Sequence, residues 1–137
     1  MIAVTFWPIF AAAVANVIIG FIWFNPKVFG SSWMRMINTT PEQMEKGKKR
    51  MPLTVFFAFL AGMLVAYVMS FFAIAWGVFD WIGAIELGFW LWVGFVAPVL
   101  ISSVLWEMKP MKYYFINSFY WLVSFIVMAV VLVTMSA

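Results

Sequence analysis

The sequence contains no cysteine and no histidine. Those two absences exclude disulfides, thiol chemistry, haem ligation through histidine and the usual zinc sites. Charge is scarce as well, with five acidic and eight basic residues among 137. An enzyme needs a nucleophile, a general acid or base, or a metal. Outside the first loop the acids are Asp80, Glu86 and Glu107. Asp80 and Glu86 are expected at one membrane face and Glu107 at the other, so paired-carboxylate chemistry is excluded for a monomer. Ser102 and Ser103 have no base in sight. The chain reads as non-enzymatic and without a cofactor.

What is present is apolar: 67% of the residues are hydrophobic and 21% are aromatic. Several windows of about 20 residues carry no charge, which is what the hydrocarbon core of a bilayer demands of a helix. The expected fold is an all-α integral membrane four-helix bundle, a single domain of two helical hairpins. The spans fall at about 2–24, 52–79, 84–106 and 113–134, with one substantial loop at 25–51. The N-terminus lacks a basic n-region and its apolar run continues to Phe24, so it reads as a retained helix rather than a cleaved signal.

Within the first span Ala12, Asn16 and Gly20 share one face, small enough for close helix contact, and Asn16 can hydrogen-bond across it. The loop opens on Asn25-Pro26. Trp33, Met34, Met36 and Ile37 around Arg35 predict a short turn or helix lying on the membrane surface. Thr40-Pro41-Glu42-Gln43 has the form of a capping box with proline at the first helical position. A short amphipathic helix should follow, ending in Lys46, Lys48, Lys49 and Arg50, with the second span starting at Pro52. That basic cluster is a candidate contact for anionic lipid headgroups, or simply a topology signal.

The second span carries a stripe of Ala58, Gly62, Ala66, Ser70, Ala73 and Gly77, expected to pack on the first helix or another protomer. Asp80 is placed to cap the third helix. In that helix Pro98 should open a kink by depriving the Gly94 carbonyl of its donor, with Ser102 or a neighbour satisfying the loosened backbone. On the last span Asn117, Tyr120 and Ser124 share a face. Phe6-Trp7 and Phe89-Trp90 stand 83 residues apart, as do Trp23 and Trp106, so spans one and three are candidates for a parallel repeat.

Every lysine and arginine lies in the first or third loop. By the positive-inside rule both loops are expected in the cytoplasm and both termini outside. A candidate polar pocket comprises Asn16, Tyr67, Ser102, Asn117 and Tyr120. Glu86 is a candidate for proton coupling if it lies in the membrane, and an interfacial side chain if it does not. Two functions fit. One is a lipid- or protein-interacting bundle or accessory subunit; the other is a small oligomeric transporter or small-molecule binding protein. Membrane lipids, a second copy or a partner membrane protein are the expected partners. Nucleic acid is not, because the positive charge flanks spans rather than forming a basic face.

The pattern Gly20-x-x-Trp23-Phe24-x-Pro26-x-x-Phe29-Gly30-x-x-Trp33 resembles the start of a family of small bacterial four-span membrane proteins catalogued as a domain of unknown function. The stretch from Glu107 to Met128, with Asn117, Tyr120, Leu122 and Val123, is similar to that family's last loop and helix. Members often have tyrosine where Phe24 stands and a small residue where Phe119 stands. The resemblance implies four spans and a bacterial inner-membrane setting. It implies no activity, ligand or site.

Overall fold

The computed structural model describes residues 4–136. Helix α1 runs Phe6–Trp23, followed by a π-type turn at Pro26–Gly30 and a short helix α2, Ser31–Met36. Helix α3 runs Pro41–Ala75, α4 Trp81–Phe95, α5 Ala97–Leu100, α6 Ser102–Leu105 and α7 Met111–Ser136. Among the described residues, four segments are long and apolar enough to cross a membrane: Phe6–Trp23, Met51–Ala75, Trp81–Leu105 and Met111–Ser136. The first two residues of the span expected at 2–24 lie outside the described residues. The architecture is the expected all-α bundle.

The capping box forms at Thr40. Its hydroxyl accepts from the Gln43 N–H at 3.2 Å, and its own N–H donates to Gln43 Oε1 at 3.0 Å. The helix it starts does not stop at Pro52, however. Pro52 lies inside α3, so the loop helix and the second span are one rod. Proline deprives the Lys48 carbonyl of its donor, but this stretch is exposed and water can serve it. Residues 41–50 are exposed throughout and project about 15 Å beyond Met51.

At its far end α3 stops at Ala75 rather than 79. The Gly77 N–H donates to the Ile74 carbonyl at 3.1 Å, and the Val78 N–H to Ala73 at 2.9 Å. These two bonds make a Schellman closure, with Gly77 at φ +66°, where a side chain would be strained. Gly77 therefore terminates the helix and takes no part in the packing stripe. Asp80 caps α4 as expected, its carboxylate accepting from the Gly83 N–H at 2.8 Å.

In lipid, helices associate through close packing and interhelical hydrogen bonds rather than a hydrophobic force. The middle of the small-residue stripe follows this rule: Gly62, Ala66, Ser70 and Ala73 are buried, while Ala58 is exposed. Helix α7 is the axis of the bundle, packing along both α1 and α4; α3 lies mainly against α1. The pairs α1/α3 and α4/α7 are the two hairpins. Helices α3 and α4 are joined by a short turn yet barely meet. Between them opens a groove of about 390 Å³ lined by Leu64, Val68, Phe72, Leu91, Phe95 and Phe125.

The third span breaks at Val96 and again at Ile101, around Pro98. The Tyr114 hydroxyl of α7 donates to the Ala97 carbonyl at 2.9 Å. A tyrosine from the neighbouring helix thus ties the broken stretch to α7 at a carbonyl that also accepts from the Ile101 N–H, not at the Gly94 carbonyl that Pro98 orphans, and Ser102 is exposed.

Candidate ligand pocket between α1, α3 and α7

Where α1 ends, the chain must turn and come back against the bundle. Asn25 starts the turn, its side-chain oxygen accepting from the Lys27 N–H at 2.9 Å. The Gly30 N–H closes it on the Asn25 carbonyl at 2.9 Å. A β-carbon at position 30 would stand 2.1 Å from the Phe24 carbonyl oxygen, so only glycine fits. The turn brings Phe29 onto Trp23 (ring centroids 4.8 Å apart) and Trp33 onto Phe24 (5.4 Å). Trp23 in turn donates its indole N–H to the Ile116 carbonyl of α7 at 2.9 Å. The aromatic and glycine positions of the loop motif therefore act as one clasp that fastens the first loop to α7.

Below this clasp lies a buried polar cluster. Asn16 is 3% exposed, and its side-chain oxygen accepts from the Tyr120 hydroxyl at 2.7 Å and from the Ser124 hydroxyl. The Tyr120 hydroxyl also reaches the Asn16 backbone carbonyl at 3.1 Å. Close approach makes this possible. Gly20 faces the Tyr120 hydroxyl, and Gly62 of α3 lies against Asn16, where a β-carbon would stand 3.1 Å from Nδ2.

A cavity of about 420 Å³ adjoins the cluster. Asn16, Gly20, Phe21 and Phe24 of α1 and its end, Trp33 of α2, Met51, Thr54 and Ala58 of α3, and Tyr120 of α7 line it. Phe21, Met51, Thr54 and Ala58 are exposed, so it opens sideways between α1 and α3. No side chain in its wall is charged. Its volume is in the range of small-molecule sites.

Of the residues expected to form a polar pocket, Asn16 and Tyr120 are brought together. Asn117 is half-buried and makes no side-chain hydrogen bond among the described residues; Ser124, one turn beyond Tyr120, takes the place expected for it. Tyr67 points away from the cluster, 46% exposed, with its ring against Phe71. Ser102 is exposed in the broken third span. Glu86 is exposed and lies beside Asp80, Trp76 and Trp90 in a groove of about 350 Å³ at the opposite end of the bundle. Lys46, Lys48, Lys49 and Arg50 sit on the exposed extension of α3, next to Met51 at the cavity mouth. The first and third loops share an end: Trp23 and Phe29 line a groove together with Met111 and Lys112.

Two contacts lie outside the polar pocket expected from sequence. Trp92 of α4 donates its indole N–H to the Ser118 carbonyl at 2.7 Å. At Gly88 a β-carbon would stand 2.9 Å from Ile126 Cα and from the Phe125 carbonyl oxygen, so α4 and α7 touch backbone to backbone. A signal existed for the second: Ala84, Gly88 and Leu91 recur at helical spacing.

The fold and the polar cluster define a helical membrane protein with a side pocket between its spans. Its family follows from comparison: residues 7–133 match the model of DUF1761, a family of proteins of unknown function, and the chain belongs to that family. No curated protein and no solved structure matches it.

Proposed function

We propose that this chain is a non-catalytic bundle of the bacterial inner membrane that works by binding lipid or another membrane component along its outer wall. The observation that carries this reading is the filled interior. Met69, Leu87, Met128, Leu132 and Val133 are each at most 1% exposed, and the Asn16 side-chain oxygen is already occupied by Tyr120 and Ser124. A permeation path needs hydrogen-bonding groups along its length. The cavities here open outward, towards the bilayer.

The basic extension of α3 supplies the polar half of the contact. Lys46, Lys48, Lys49 and Arg50 are exposed, and juxtamembrane cations are worth about 1 kcal/mol each near an anionic surface. Purified into nanodiscs of phosphatidylglycerol and phosphatidylethanolamine, the protein should retain phosphatidylglycerol on transfer to detergent, as read by native mass spectrometry. Replacing the four cations by glutamine should remove most of that retention. Complete delipidation of the unaltered protein under the same conditions would defeat the reading.

The orientation belongs to the same proposal, with the first and third loops in the cytoplasm and both termini outside. Because the chain lacks cysteine, Lys49→Cys and Lys112→Cys can each be labelled alone in spheroplasts. Both should resist an impermeant maleimide until the membrane is opened, and labelling of one without the other would break the topology.

The second reading, a small-molecule binding protein or oligomeric transporter, is favoured by the cavity beside Asn16 and Tyr120. Four spans enclose little volume, so transport would call on a second copy or a partner membrane protein.

A further inference from the structure

Asn16 has a donor to spare. Its side-chain oxygen is held by Tyr120 and Ser124, while among the described residues its Nδ2 meets no acceptor. Yet the residue is only 3% exposed and lines the cavity. Trp33, in the wall of the same cavity, has an indole N–H that is buried and likewise without an acceptor among the described residues. A buried N–H without a partner costs about 1–3 kcal/mol; Trp33 carries one, and Asn16 adds an unused donor beside the same space, which together point to a molecule that brings acceptors.

The rest of the wall narrows the chemistry. It holds no charged side chain, and the cations before Met51 stand outside the mouth, so a phosphate, carboxylate or ammonium group drawn in beside Asn16 would leave its counter-ion behind. Asn16 lies two turns before Phe24, about 12 Å farther into the span, below the depth at which phospholipid esters stay with their headgroups. The rings of Phe24, Trp33 and Tyr120 meet at the inner end, with centroids 5.4 Å and 5.3 Å from that of Phe24. Such inclined rings offer both faces and edges to a planar group of the guest. The outer rim, Phe21, Val55 and Ala58, is apolar and opens to hydrocarbon, which suits a tail.

We infer that the cavity binds a membrane-dissolved molecule with an uncharged, flat, carbonyl-bearing head and an apolar tail, the chemistry of an isoprenoid quinone. The Asn16 amide N–H donates to a head carbonyl, and the indole of Trp33 turns to donate to a second. This rests on the reading that the bundle binds membrane components, and it names the site and the guest. No redox step is implied, because the site binds the head without reacting with it.

The test is titration calorimetry of the full chain in detergent with decylubiquinone, and separately with dioleoyl phosphatidylglycerol. Saturable binding of decylubiquinone is expected. Asn16→Asp keeps the acceptor for Tyr120 and Ser124 and, once ionised at alkaline pH, lacks the donor; it should then weaken binding at least about tenfold. Ala58→Phe fills the exposed rim without touching the polar cluster. It should abolish binding while leaving the unfolding midpoint unchanged, which keeps the inference testable if Asn16→Asp prevents folding. Equal binding by the Ala58→Phe variant and the unaltered chain would overturn the inference. So would tight phosphatidylglycerol binding that decylubiquinone does not displace, although the lipid-binding reading would then survive. Binding of neither compound would remove both.

Discussion

Helix α7 makes two seams, and they are built on different principles. Against α4 it packs dry: Gly88 lets the two backbones touch, and Leu87, Leu91, Met128 and Leu132 close the space around them. Against α1 it packs through a polar cluster, with Asn16 holding Tyr120 and Ser124 and a cavity left at one side. Each seam also has a tryptophan whose indole N–H is bonded to a carbonyl of α7, Trp92 to Ser118 and Trp23 to Ile116. The shared device holds position. The difference shows where strength and where polar room have been placed: the glycine seam is closed at Gly88 with only an apolar groove at its α3 side, and the asparagine seam keeps a cavity with hydrogen-bonding groups in its wall.

The sharpest way to break that contrast is at Gly88. Gly88→Ala puts a methyl 2.9 Å from the α7 backbone, and backbone has no rotamer with which to yield. Helices α4 and α7 must then separate, at a cost of about 1–3 kcal/mol. Unfolding by SDS titration in mixed micelles should show that loss. Unchanged stability would mean that the seam is loose. Next in size is Asn16→Leu, which leaves the Tyr120 hydroxyl only the backbone carbonyl of residue 16 and the Ser124 hydroxyl only the Met128 sulfur. Hydrogen bonds between membrane helices average about 0.6 kcal/mol and reach about 1.7, so a loss of about 1–2 kcal/mol is expected. Adding Ser124→Ala should cost less on top of Asn16→Leu than it does alone, because the hydroxyl it removes has already lost its Asn16 acceptor. Strict additivity would show that the bond contributes nothing.

Much of this fold was legible because single residues carried single meanings. Thr40, Gln43 and Asp80 are capping residues by chemistry, and each does what its side chain can do. Long uncharged runs left only membrane helices as an outcome. Ambiguity came where one residue type serves two ends. Glycine both packs and terminates, so Gly77 fits a packing stripe by spacing, and only its positive φ marks it as a helix stop. Proline breaks a helix in most settings, but Pro52 stands where water can serve the orphaned carbonyl, and α3 runs through it. The polar cluster was half legible. Its two ends, Asn16 and Tyr120, are polar residues on otherwise apolar faces, but choosing Ser124 over Asn117 depended on the helix crossing, which no local pattern records. The separation of α3 from α4 was hidden for the same reason: a short turn fixes direction and not contact.

The smallest expected effect separates two tryptophans that sequence spacing makes equivalent. Trp23 and Trp106 stand 83 residues apart at the ends of the first and third spans, as a parallel repeat would place them. Trp23 is bonded to Ile116 and packed on Phe29, whereas Trp106 is 84% exposed and makes no such bond among the described residues. The partner of Trp23 in function is Trp92, which makes the matching bond on the other side of α7. Trp23→Phe keeps an aromatic ring and removes the N–H, so it should cost about 0.6 kcal/mol in the same SDS titration, with Trp92→Phe close to it. Trp106→Phe should cost almost nothing there, because no interhelical bond depends on its N–H. If Trp106→Phe and Trp23→Phe lose equally, both indoles are acting as interfacial anchors, and the two seams of α7 are not held by the same bond.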